Sequence, residues 1–199
     1  MKKSEFETIA ELAETYNTIP VCREIYADVI TPISLLRRLA AVSKRFYLLE
    51  SVEGGEKWGR YSFLGFDPVL RAVCRDGTVR LEGLYNETIP TENPMQVLRN
   101  ILQEYHSPEM NDLPPFTGGF VGYFAYAMIG YAEPTLKIKK GDFDDYDMML
   151  FDKVIAYDHL KQKICIIVNL RTGRNLKDAY DAAVKEIGAI IELIRDESP

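Results

Sequence analysis

Apolar positions recur along this chain in two rhythms, every third or fourth residue in some stretches and every second in others. The switches between them mark out the elements. The 4–16 stretch predicts a helix: Ser4 and Glu7 have capping-box spacing, and Phe6, Ile9, Ala13 and Tyr16 form an apolar stripe. Asn17 and Pro20 end it, and 19–25 predicts an extended segment with VCREIY as a strand. Thr31 as N-cap and Pro32 as first helical residue start a second helix, with Leu35, Leu36, Leu39 and Val42 facing inward. Asn93 and Pro94 start a third, carrying Val97, Leu98, Ile101, Leu102 and Tyr105. A long last helix over 176–194 repeats Ala179, Ala183, Ile187, Ile190, Ile191 and Ile194 at helical spacing.

The alternating stretches lie mostly between these helices. Two short strands, 45–51 and 60–64, flank a loop rich in glycine and charge. In the first, Tyr47, Leu49 and Ser51 share one face while Phe46, Leu48 and Glu50 share the other. Strands over 69–75 and 78–84 flank Asp76-Gly77, a two-residue hairpin signal. GFVGYFAY at 119–126 has strand composition, its glycines suggesting bending or close backbone approach. The 134–147 stretch predicts an acidic surface loop, and 147–158 with 162–169 a second hairpin. Strands in the middle with helices at both ends and between predict an α+β fold, its mainly antiparallel sheets packed as a sandwich with flanking helices.

Composition narrows the function classes. With 199 residues, 47% hydrophobic and 27% charged, the chain has the make-up of a folded globular protein. A net charge of -6 argues against a nucleic-acid or anionic-membrane binder, which needs a basic face. No apolar run is long enough to cross a bilayer, and the N-terminus lacks the apolar stretch of a signal peptide. Cys22, Cys74 and Cys165 are far apart and without metal-ligand spacing, which predicts free thiols in a reducing compartment, the cytoplasm.

No catalytic constellation stands out. His106 and His159 lie at a helix end and a hairpin turn with no partner in view. The glycine-rich 117–122 run leads into a strand rather than opening a helix, unlike a dinucleotide site. The acidic cluster Asp142, Asp144, Asp145 and Asp147 lacks the glycine and terminal glutamate of a calcium loop and reads as solvated. Neither a catalytic nor a metal site is expected in this chain.

Four segments in order carry a resemblance: LLES at 48–51, GRYSFLGFDP at 59–68, PFTGGFVGYFAY at 115–126 and MLFDKVIAYDHL at 149–160. Together they resemble the N-terminal region of anthranilate synthase component I. The resemblance implies one N-terminal regulatory domain over 1–199, with the C-terminal chorismate-binding catalytic domain absent. It implies a part of a lyase, inactive alone, that converts chorismate and ammonia or glutamine to anthranilate and pyruvate in tryptophan biosynthesis. It further implies a glutamine amidotransferase subunit and the chain's own C-terminal domain as partners. Tryptophan is the implied feedback inhibitor, and no cofactor is implied in this chain, magnesium being expected in the catalytic half. The residues it places at the inhibitor are Ser51 first, with Leu49 and Glu50 beside it, and Lys57 or Arg60 toward the ligand's carboxylate. One departure is Tyr126-Ala127-Met128, where the family pattern has Tyr-Asp. Two other readings stay open: the N-terminal domain of aminodeoxychorismate synthase component I, of the folate pathway, and a non-enzymatic protein-binding adaptor.

Tryptophan needs an apolar wall for its indole, donors for its carboxylate and acceptors for its ammonium, all met together because a buried unpaired charge is costly. Tyr47, Leu49 and Phe63 supply the wall if their strands pair. The bland reading of the same residues is a sheet core in which Ser51 ends a strand and Gly54-Gly55 makes a turn.

Overall fold

The computed structural model describes residues 4–28, 30–50, 59–133, 135–136, 138, 141–173 and 175–196. In chain order the elements are α1 (Glu5–Leu12), β1 (Thr18–Tyr26), α2 (Pro32–Val42), β2 (Phe46–Leu49), β3 (Tyr61–Phe66), β4 (Leu70–Arg75), β5 (Thr78–Gly83) and β6 (Glu87–Pro90). There follow α3 (Pro94–Gln103), β7 (Gly119–Phe124), a 3-10 turn (Tyr126–Met128), α4 (Ile129–Ala132), β8 (Tyr146–Phe151), β9 (Lys153–Asp158), β10 (Lys163–Arg171) and α5 (Leu176–Arg195). The chain adopts the expected α+β class, with two antiparallel five-stranded sheets, and divides into two compact units.

The first unit takes Met1–Asp67, His106–Gly118 and Asp152–Pro199, and its sheet runs in the order β1-β10-β9-β3-β2. The helices that border it start where local chemistry dictates. Ser4 and Glu7 form a reciprocal capping box, the Glu7 amide donating to Ser4 Oγ at 3.2 Å and the Ser4 amide to Glu7 Oε2 at 2.7 Å. Thr31 caps α2 through the Ser34 amide at 3.2 Å, with Pro32 at the first helical position. The stripes of α1, α2 and α5 bury Ile9, Leu35, Leu39, Ile187, Ile190 and Ile194 against Leu64, Ile155, Ile164 and Ile166 of the sheet. Full burial of one such side chain contributes about 1.5–3 kcal/mol. Val42, expected to face inward, is exposed at the last residue of α2, although Leu39 in the same turn is fully buried. Leu102, near the end of α3, is exposed in the same way.

The second unit takes Pro68–Tyr105 and Gly119–Phe151, with sheet order β6-β5-β4-β8-β7. Its β4–β5 hairpin turns on Asp76 and Gly77, both at positive φ (52° and 73°), as the sequence signal requires. Leu98 and Ile101 of α3 pack on Leu70, Ala72, Val79, Leu81, Tyr146 and Leu150. Arg71 forks onto Asp147 at 2.8 and 2.6 Å, and Arg75 lies 3.6 Å from Asp144. Asp145 accepts from the Asp76 amide at 2.9 Å and from the Tyr131 hydroxyl at 2.8 Å. Asp145 and Asp147 therefore hold partners inside the fold and are not the solvated loop residues the sequence suggests, while Asp144 pairs at the surface with the half-exposed Arg75.

Two expectations need correction. The 147–158 run is not one hairpin arm. It is β8 and β9, broken at Asp152, which belong to different sheets: β8 pairs with β4 and β7, β9 with β3 and β10. A continuous apolar run carries no mark of which neighbour each half will pair with. The cysteines are not three free thiols either. Antiparallel pairing of β1 with β10 sets Cys22 diagonally across from Cys165, with a Cα separation of 6.5 Å, and the two form a disulfide. Cys74 alone is free, buried in the second unit, its thiol pushed up to about 11 by burial.

Candidate functional site

The two short strands at the centre of the sequence reading pair as expected. In β2 and β3, Phe46 lies opposite Phe66, Tyr47 opposite Gly65, Leu48 opposite Leu64 and Leu49 opposite Phe63. The pleat then sorts the side chains. Phe46 and Leu48 turn to the helix-covered core with Leu64 and Phe66, while Tyr47, Leu49, Tyr61 and Phe63 take the other face. On that face Tyr61 stacks on Phe63 with centroids 5.7 Å apart, and Phe116 meets Phe63 edge-on at 5.6 Å. Ala156, Cys165 and Ile167 form the floor beneath them. Tyr47 is buried, and burial raises its phenol well above the usual tyrosine range.

Leu49 is 47% exposed at the end of β2, so the wall has an open apolar margin there, followed directly by exposed Glu50. This is the rim of an apolar wall with a carboxylate beside it. Ser51 and Lys57 lie outside the described residues.

Arg60 has a partner within the fold. Its guanidinium forks onto Asp158, Nη2 to Oδ2 at 2.7 Å and Nε to both oxygens at 3.2 Å, and lies 4.8 Å over the Tyr61 ring. Asp158 is 5% exposed. Burial pushes its carboxyl up, but the Arg60 fork and the amides of Lys161 and Leu160 outweigh that, and the net shift is down. Arg60 is thus held by a buried carboxylate rather than standing as an uncommitted cation for a ligand.

The histidines gain partners that the sequence did not reveal. His159 Nε2 lies 2.7 Å from Ser62 Oγ, and its ring sits 4.8 Å from that of Tyr157. His106 packs on Tyr16 at 4.9 Å. A serine hydrogen-bonded to a histidine has the chemistry of a nucleophile and its base, yet Ser62 is 0% exposed and presents no oxygen to a substrate. In the second unit a cavity of about 1020 Å³ is lined by Thr91, Asn93, Met95, Arg99, Met128 and Tyr131 among others. No motif in the sequence marks it, because these residues come from separate stretches. No helix among the described residues is long and apolar enough to cross a membrane.

No protein-family model matches the chain. Individual relatives do. Anthranilate synthase component 1 of Acetivibrio thermocellus is 42% identical over 188 residues, covering 93% of this chain and 38% of the relative. The protein of the same name from Pseudomonas aeruginosa is 34% identical over 201 residues, covering 98% of this chain and 40% of the relative. The crystal structure of anthranilate synthase component I from Streptococcus pneumoniae shares the fold at a TM-score of 0.56, with 24% identity, over 89% of this chain and 37% of that one. The chain spans under half the length of the curated relatives it matches. Over almost its whole length it belongs to the anthranilate synthase component 1 family, as a stretch corresponding to part of those proteins.

Proposed function

We propose that this chain is the tryptophan-sensing regulatory part of an anthranilate synthase component 1, in which the wall of β2 and β3 receives the feedback inhibitor. The observation that carries the reading is the joining of the 42% identical relative to an apolar wall built where the sequence reading expects it. The indole lies along Leu49 and Phe63, which face each other across the strand pair. Glu50 takes the ammonium, and the hydroxyl of Ser51 with the amine of Lys57 meets the carboxylate. The Arg60 fork to Asp158 supports a role in holding the site rather than in touching the ligand. Conversion of chorismate to anthranilate and pyruvate, with ammonia from a glutamine amidotransferase subunit, falls to the part of the enzyme that this chain does not match. Tryptophan inhibits by binding one arrangement of the enzyme more tightly than another, so its effect is limited by that difference in affinity.

The test is calorimetry with L-tryptophan on the full-length subunit and on its Ser51→Ala variant, alongside a product assay. Loss of tryptophan affinity in Ser51→Ala, with anthranilate as product, is the expected result. Unchanged affinity removes Ser51 from the site. Formation of 4-amino-4-deoxychorismate moves the chain to the folate branch.

A further inference from the structure

β1 stands at the edge of the first sheet, and its two halves are held differently. Thr18, Ile19, Pro20 and Val21 are buried, whereas every residue from Cys22 to Tyr26 keeps some exposure, reaching 75% at Tyr26. Ion pairs tie down the outer half: Arg23 forks onto Glu5 of α1 at 2.5 and 2.6 Å, and Lys163 of β10 reaches Glu24 at 2.6 Å. Both pairs are open to water, which weakens them. The covalent tie is the disulfide from Cys22 to Cys165, and it enters where the buried half gives way to the open one.

The two cysteines are not equally sheltered. Cys165 is 6% exposed, while Cys22 on the edge strand is half-buried. The bond is also part of a packed cluster. On the sheet face turned away from the helices, Cys22, Tyr61 and Phe63 pack on Ala156, Cys165 and Ile167. The register makes the path short: Phe63 lies opposite Ala156, and Ala156 opposite Cys165. Across the sheet, one small side chain separates the position of the sulfur from that of the Phe63 ring.

We propose that the Cys22–Cys165 disulfide is a redox-sensitive staple, opened at Cys22 by a dithiol while the sheet stays folded. Opening it frees the outer half of β1 and shifts the packing around Phe63. The thiolate of the reductant attacks Cys22 Sγ, the bond to Cys165 breaks, and the Cys165 thiolate leaves and takes a proton from water. The reductant's second thiol then attacks the mixed disulfide and releases Cys22 as a thiol. The protein disulfide gains two electrons and two protons, and the dithiol becomes a disulfide. The inner half of β1 stays in place, because burial of Ile19 and Val21 holds it without the bond. The staple goes beyond the tryptophan reading and stands whether or not the wall of β2 and β3 receives that ligand.

The test treats the full-length protein with dithiothreitol in the absence of denaturant, maps alkylated cysteines by mass spectrometry, and follows amide exchange by NMR in both redox forms. The bond is expected to open in the folded protein, with Cys22 alkylated about tenfold faster than Cys165. Exchange at the Arg23 and Ile25 amides is expected to quicken about tenfold on reduction, while Ile19 and Val21 stay within about twofold. Cys22→Ala is expected to match the reduced parent with no dithiol present. The ring signals of Phe63 are expected to move between the two forms, and those of Phe46, on the opposite face, to hold. A bond that dithiothreitol breaks only in denaturant overturns the staple, as does a protein that fails to form the bond in oxidised glutathione. Exchange at Arg23 and Ile25 that is the same in both forms, or that quickens equally along all of β1, overturns the local release. Unmoved Phe63 signals overturn the link to the wall.

Discussion

The ring of Tyr47 lies against the bare α-carbon of Gly65, its partner across the β2–β3 pair. A methyl group added at Gly65 would stand 2.9 Å from Tyr47 Cζ and 3.0 Å from its hydroxyl oxygen, and closer still to Cε1. The missing side chain is what lets a buried tyrosine lie flat across the strand. Gly65→Ala is expected to destabilise the chain by about 1–3 kcal/mol, as overpacking does. In a Tyr47→Ala background the same change is expected to cost little, because the ring it strikes is gone. Urea unfolding of the two single variants and the double variant measures the coupling.

The Arg60–Asp158 pair makes stability depend on pH. Its carboxyl is held below the usual value, so the folded state binds its proton less readily than the unfolded chain does. Its contribution is therefore present above the unfolded pKa of about 4 and is lost as pH falls through the lower folded value. Thermal melts from pH 7 to pH 3 are expected to show a steeper acid decline below about pH 4 in the parent than in Asp158→Asn. Parallel declines would show that the pair adds nothing to folding.

Asp152 is the opposite case. Its Oδ1 is buried without a hydrogen-bond partner, and burial raises its carboxyl above the usual value. Here the folded state holds the proton more tightly, so stability is greatest in acid and declines as pH rises from about 4 through the raised value. Asp152→Asn is expected to melt higher than the parent at pH 7, with the advantage gone below about pH 4, where both side chains are neutral. A lower melting point at pH 7 would mean that the carboxylate has a role the fold does not show.

The cysteine pairing has a direct chemical test. Counting reactive thiols in denaturant without reductant is expected to find Cys74 alone, and all of Cys22, Cys74 and Cys165 after reduction. A full count before reduction would return Cys22 and Cys165 to the free-thiol state that their sequence positions suggest.

What the sequence determined by itself was local. Ser4 and Glu7, Thr31 with Pro32, and Asp76 with Gly77 act on backbone within three residues of themselves, so their spacing alone specified helix starts and a turn. The alternation at 46–49 likewise determined which side chains share a face, because the pleat has a period of two wherever the strand lies. The family was legible too, since its motifs run in order along the chain. What only the tertiary structure decided were the meetings of residues far apart. Arg60 finds Asp158, Ser62 finds His159, and Cys22 finds Cys165 because β3, β9, β10 and β1 lie side by side in a particular register. The split of 147–158 at Asp152 has the same origin. Strand partners and register are chosen by burial summed over a whole sheet, and no short stretch of sequence contains that sum.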